Sequence, residues 1–305
     1  MQPVGVQNDT SSLPGRGLAQ LFVSVLLLSS GWPLTKLAIG LGTSPLWFAE
    51  GRSLLSGMIA TALLLARGGR LHLPTRRDWP AVITVGLFQL AAFFAFAHLA
   101  VAWVPAGRTA VLANAATIFV VPLSLLVLGE AMPPRRILAT ALGIGGIVVL
   151  MGPWAIDWGS TRVLVGNAFL LGAALSWAIA IITVRGAPPR SSMSQLLPWC
   201  FILSSIVLAP LVAWKEPHGT LGTQPGAWAA LAYIGLIAGP LGTWGVVEAT
   251  MALPAVVSSV GFLATPAVGI LLSNWILHEP ITGDLLAGTA LILVGVGLAA
   301  WPSRR

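Results

Sequence analysis

The chain has 305 residues, of which 56% are hydrophobic and only 8% charged, with a mean hydropathy of +0.90. So little charge cannot cover a soluble surface of this size, which excludes a soluble globular protein and indicates a polytopic membrane protein. The net charge of +7 does not mark a nucleic-acid binder, because the basic residues sit in short segments between apolar runs and read as orientation signals.

Residues 1–16 are polar and rich in Gly, Pro, Ser and Asn, and are expected to form a disordered cytoplasmic tail. Ten apolar spans follow, at about 17–39, 45–65, 79–99, 105–128, 137–151, 164–184, 195–214, 227–247, 254–277 and 281–301. The first run is too long for a signal-peptide core and reads as retained. Cys200 is the only cysteine, which rules out an intramolecular disulfide or a cysteine metal cluster.

The third to fifth spans recur in the eighth to tenth. Sliding the chain by 149 positions without a gap sets Trp79 on Trp228, Gly86 on Gly235, Pro105 on Pro254, Ser124 on Ser273, Glu130 on Glu279 and Gly146 on Gly295. Over residues 79–150, 17 of 72 aligned pairs are identical, against about 6 expected from composition. The chain therefore divides into a first five-helix repeat, 17–152, and a second, 164–301. With the N-terminus inside, 11 basic residues fall in cytoplasmic segments, and only Arg162 and Lys215 fall in the segments outside. Five spans per half, an odd number, make the second repeat enter the bilayer inverted. The expected fold is an all-α integral membrane protein of ten transmembrane helices in two inverted five-helix repeats, both termini cytoplasmic.

The PLSLLVLGE ending of the fourth span, its partner VGFLATPAVGILLSNWILHEP, the SSGWPLTKLAI stretch and the Arg52-bearing second span resemble the EamA family of the drug/metabolite transporter superfamily. The resemblance runs from Gly17 to Trp301 and is specific for family rather than substrate. It implies a cavity lined by spans one to four and six to nine, with spans five and ten outside. It also implies residence in the inner membrane and kinship with amino-acid and metabolite exporters. Lys36 and Arg52 stand where that family's pattern carries basic residues.

Polar groups inside a bilayer are costly and face a partner or water. Gln89, Phe93 and Phe96 follow i, i+4, i+7 spacing, so one face of the third helix offers an amide and two rings; Asn114 lies near the middle of the fourth span. Trp32 and Trp177 follow small residues in matching halves (SSGW and ALSW), and Trp244 follows Pro240 and Gly242. Trp32, Gln89, Phe93, Asn114, Trp177 and Trp244 are the candidate solute-binding residues. Helix-to-helix hydrogen bonding for the amides, and plain packing for the rings, remain the competing readings.

Lys36, Glu50, Arg52 and Arg108 lie toward the periplasmic side and are read either as a charge network that closes the outer mouth or attracts a carboxylate, or as structural ion pairs. His98 is an intramembrane imidazole open to proton coupling or to packing. Glu248 is placed near an inner gate. Glu130 and Glu279 are expected to satisfy backbone N–H groups at the start of the helix that follows each. Glycines in the fifth and tenth spans suit either a homodimer face or packing within one chain.

The sequence contains no HExxH, GxSxG or nucleotide-binding loop, and suggests neither an enzyme nor a need for cofactor or metal. The expected function is secondary transport: export of small amphipathic metabolites, best matched by aromatic or hydrophobic amino acids, through alternating access. Export of lipophilic drugs or cations and a lipid scramblase or scaffold role are the alternatives. The expected partners are a small-molecule substrate and the lipid bilayer.

Overall fold

A computed structural model of the protein describes residues 15–129, 134–152, 154, 157–243, 245, 253 and 261–300. All regular structure among them is helical: α1 (Gly15–Ser29), α2 (Gly31–Gly40), α3 (Pro45–Ala66), α4 (Trp79–Thr84), a π-helical segment (Val85–Ala92), α5 (Phe93–Trp103), α6 (Ala106–Ala113) and α7 (Ala116–Leu128). There follow α8 (Pro134–Leu150), α9 (Thr161–Gly186), α10 (Met193–Lys215), α11 (Pro225–Ala232), a second π-helical segment (Tyr233–Ala238), α12 (Ala264–Leu277) and α13 (Gly283–Ala300). Among the described residues, seven helical runs are long and apolar enough to cross a membrane: Gly17–Gly40, Pro45–Ala66, Trp79–Trp103, Ala106–Leu128, Thr161–Gly186, Met193–Lys215 and Pro225–Thr243. Ile137–Leu150, Ala264–Leu277 and Gly283–Leu298 are shorter apolar helices.

The sequence duplication reappears as duplicated irregularity. The third span carries the Val85–Ala92 π segment, and its counterpart carries Tyr233–Ala238 at overlapping positions of the repeat. The helix ending at Ala113 turns at Asn114 and Ala115 before α7, and the counterpart turns at Leu263 before α12. α7 and α12 both stop in the left-handed region, at Gly129 (φ 64°) and His278 (φ 56°). Glycine adopts that conformation freely. His278 adopts it as a non-glycine residue because the duplicated turn demands it.

The halves meet where the duplication requires. α8 and α13 pack so closely that a Cβ on Gly146 would fall 2.7 Å from the Gly288 carbonyl oxygen, and one on Gly295 would fall 2.6 Å from that of Ala139. Adding 149 to one partner and subtracting it from the other converts the first pair into the second, so the two contacts are related by a local twofold. Contacts that advance along α8 retreat along α13, so the helices run antiparallel. Gly146, Gly288 and Gly295 thus meet across α8 and α13 within one chain. A second pair of equivalent contacts sets Gly86 of the first π segment against Cys200 and Leu203 of α10, and Gly235 of the second against Leu55 of α3.

Candidate functional site

Between α2, α3, α5, α9 and α10 lies a cluster of aromatic rings. The first span breaks at Ser30, whose hydroxyl donates to the Leu27 carbonyl (2.7 Å) and lies 3.0 Å from the Tyr233 hydroxyl, and the break directs Trp32 inward. Phe93 stands between two tryptophans, its ring centroid 6.0 Å from Trp32 and 4.7 Å from Trp177, both edge-on. Phe94 and His98 continue the wall, with rings 5.8 Å apart, and Phe48 and Trp32 each lie 5.9 Å from His98. Edge-to-face rings in this range attract beyond simple area burial.

One charge borders the cluster. The Arg52 guanidinium carbon sits 4.3 Å from the Phe94 ring centre, a cation–π contact in which a buried cation keeps favourable electrostatics without an anion. Arg52 Nε and His98 Nε2 are both buried with no hydrogen-bond partner, while His98 Nδ1 lies 2.7 Å from the Phe94 carbonyl. That carbonyl can only accept, so Nδ1 carries the proton of the neutral ring and Nε2 is left as a bare acceptor. Arg52 Nε is thus a buried donor and His98 Nε2 a buried acceptor, both without partners beside Phe94.

The remaining candidates separate. Gln89 lies in the π segment, half-buried, and its amide has no protein partner among the described residues. The π turn lies between Gln89 and Phe93 and interrupts the α-helical spacing of that pair, while Phe96, on α5 with Phe93, stacks on Phe169 (5.6 Å). Asn114 is exposed at the break in the fourth span and donates 2.6 Å to Ala110 of its own helix. Trp244, Glu248 and Glu130 lie outside the described residues.

Lys36 and Arg108 do not join Glu50 and Arg52 in one network. Each crosses to the second half: Lys36 Nζ is 3.5 Å from Glu279 Oε1 and donates to the Val104 carbonyl (2.6 Å), and Arg108 is 3.3 Å from Asp284 Oδ2. Glu279 does not cap the helix that follows it; its carboxylate accepts from the N–H groups of Ala106 (2.9 Å) and Gly107 (3.1 Å) at the start of α6. Glu216, just past α10, does the same for α3 through Leu46 and Trp47. Burial raises the Glu216 carboxyl, and those N–H groups pull it back down. Each carboxylate meets the positive end of a helix from the opposite half. Partners 169 or more residues away leave no trace in local spacing.

The other end of the bundle is tied through Asp78, which is covered from solvent. Its carboxylate accepts from the Thr75 hydroxyl (2.6 Å) and amide (2.9 Å), the Arg190 amide (2.8 Å), and the Ser191 amide and hydroxyl (2.9 Å each). The Thr75 hydroxyl first, and then the Ser191 amide, hold this carboxyl well below the usual carboxylate range. Among the described residues, no three His, Cys, Asp or Glu side chains gather as a metal site.

Membrane-length helices in a duplicated arrangement, tied at both ends across the halves and enclosing aromatic rings with free polar atoms, define a multi-pass membrane transporter. The chain belongs to the EamA-like transporter family, whose model matches twice, over residues 15–152 and 164–301. It is 26% identical to the uncharacterized transporter YvbV of Bacillus subtilis, over 92% of this chain and 90% of that one. It is 25% identical to the "Probable terminal-alkyne amino-acid exporter" of Streptantibioticus cattleyicolor, over 91% of each chain. It is 27% identical to the "Probable amino-acid metabolite efflux pump" of Salmonella typhimurium, over 80% of this chain and 83% of that one. One solved crystal structure shares the fold with a TM-score of 0.65 at 21% identity, covering 94% of this chain and 99% of its own.

Proposed function

We propose that the protein is a secondary transporter of the bacterial inner membrane that exports small amphipathic metabolites, with aromatic or hydrophobic amino acids as the best-fitting class. The observation that carries this reading is the Trp32–Phe93–Trp177 stack bordered by Arg52, buried at the meeting of the two halves. The rings suit an apolar side group, and Arg52 with its unpartnered Nε suits a carboxylate. Gln89, with its free amide, supplies a further polar contact. The two relatives named for amino-acid export point the same way.

The mechanism is alternating access by ten spans in two inverted repeats, 17–152 and 164–301. The antiparallel, twofold-related contact of α8 with α13 supports the inversion, since a twofold that reverses a membrane-crossing helix lies in the membrane plane. The bias of 11 basic residues against 2 supports cytoplasmic termini. In that orientation Lys36–Glu279, Arg108–Asp284 and the Glu216 cap close the outer mouth, and exit of the solute requires them to part.

The test is uptake by proteoliposomes holding the purified protein, against empty liposomes, of labelled amino acids, a lipophilic cation and a fluorescent phospholipid. Saturable uptake of aromatic or aliphatic amino acids, reduced in Trp177→Ala, is the expected result. Uptake of the cation alone, or flipping of the phospholipid alone, overturns the substrate class.

A further inference from the structure

The seam between α3 and α10 holds an acid that the aromatic site does not use. Glu50 lies about 8 Å along α3 from its start, at 1.5 Å per residue, and is 9% exposed. Its Oε2 has no hydrogen-bond partner, and neither has Ser205 Oγ on α10, although that hydroxyl neighbours the carboxyl closely enough to act on it. A turn further along, Ser53 Oγ donates to Ser204 Oγ across the same seam (3.3 Å). Beside these oxygens runs an apolar groove of about 450 Å³ lined by Leu54, Met58 and Ile202.

Among the described residues no cation pairs with Glu50. The charged and titratable groups on the elements packed against α3 are engaged elsewhere. On α10, Cys200 is buried behind Gly86, Lys215 lies over the Trp214 ring, and Glu216 beyond its end caps α3. On α5, His98 is held by the Phe94 carbonyl; in the second π segment, Tyr233 pairs with Ser30; and α11 carries no ionisable residue. On α3 itself, Arg52 faces Phe94. An ionised carboxylate without a cation is costly in such a place, whereas the neutral acid can donate to a hydroxyl.

We infer that Glu50 carries the proton exchanged for the exported solute, a reading that rests on the transport function proposed above. With the seam open to the outer face, a proton from water binds the carboxylate. After the halves rock it leaves to the cytoplasm and the carboxylate reforms, so only an O–H bond is made and broken. Coupling arises from one rigid helix. Residues two apart on an α-helix diverge by about 200°, so α3 turns Arg52 toward the aromatic wall and Glu50 toward the seam. A solute that shifts one face of α3 shifts the other.

The full chain in proteoliposomes tests this in two ways. Infrared difference spectra between alkaline and acidic pH are expected to contain a protonated-carboxyl band that is missing in Glu50→Gln and moved in frequency in Ser205→Ala. A proton gradient, acid on the outer face, is expected to drive solute accumulation of about tenfold per pH unit for one-for-one exchange. Glu50→Gln should lose this accumulation by a much larger factor than it loses solute counterflow. A spectrum with no Glu50-dependent or Ser205-dependent band, or a Glu50→Gln variant that accumulates as the wild type does, overturns the inference. The infrared band needs no solute, so a panel in which nothing is transported contradicts the transporter reading and leaves the proton site to be judged on the band.

Discussion

Two of the seams that join the halves are built oppositely. At α8–α13 backbone meets backbone through Gly146, Gly288 and Gly295, with apolar neighbours such as Leu150 and Ile292 and no space for a single added carbon. At α3–α10 the contact holds serines, an unpartnered carboxyl, a groove, and a helix that carries Pro198 and Pro210. A seam of backbone against backbone with no free volume has one arrangement, whereas a seam bordered by a groove and holding unsatisfied polar atoms has reason to adopt another. Under the alternating access proposed above, the difference places the fixed axis at α8–α13 and the moving contact at α3–α10.

Filling the fixed seam should have the largest effect. Gly146→Leu forces the two backbones apart and should cost about 3 kcal/mol or more, read as a large drop in thermal unfolding temperature in detergent; an unchanged melt would mean that the seam yields. In the moving region, Arg52→Gln should spare the melt but remove a charge-assisted contact of about 2 kcal/mol, raising the half-saturating amino-acid concentration roughly 30-fold. Trp177→Ala, which removes one wall beside Phe93, should raise it about tenfold for aromatic solutes and less for small aliphatic ones.

The smallest effect belongs to the Asp78 tie. The carboxyl of Asp78 is lowered in the folded protein, so its contribution is fully present above the ordinary carboxylate range and is lost only as pH falls through the lowered value. Asp78→Asn should therefore melt below the wild type by a constant margin from neutral pH to mild acid, with the margin closing only in strong acid.

The membrane class, the helical fold and the duplication were legible because they rest on composition and on text repeated at a fixed interval. The duplicated left-handed turn at Gly129 and His278 shows how far repeated text carries, since a histidine there has no local reason to leave the helical region. Phe93, Trp32 and Trp177 were legible as aromatic residues at inward positions, but not their order, with Phe93 between the two tryptophans. Arg52 on Phe94, Glu279 on α6 and Glu216 on α3 were illegible because a cation can rest on a ring as well as on an anion, and a carboxylate can cap any helix end it reaches. The π segments were hidden too. Nothing in VGLFQLAA forbids an α-helix, and it is the packing of Gly86 against α10 that accompanies the wider turn.

The moving seam can be tested by locking it. A Cβ on Gly57 would lie 2.9 Å from that of Phe201, so after a slight shift a Gly57→Cys, Phe201→Cys pair in a Cys200→Ser background can form a disulfide between α3 and α10. Solute transport by the oxidised and reduced forms of this variant is the direct measurement. If the seam opens in each cycle, oxidation stops transport and reduction restores it. Full transport by the oxidised form would contradict rocking about the α8–α13 axis.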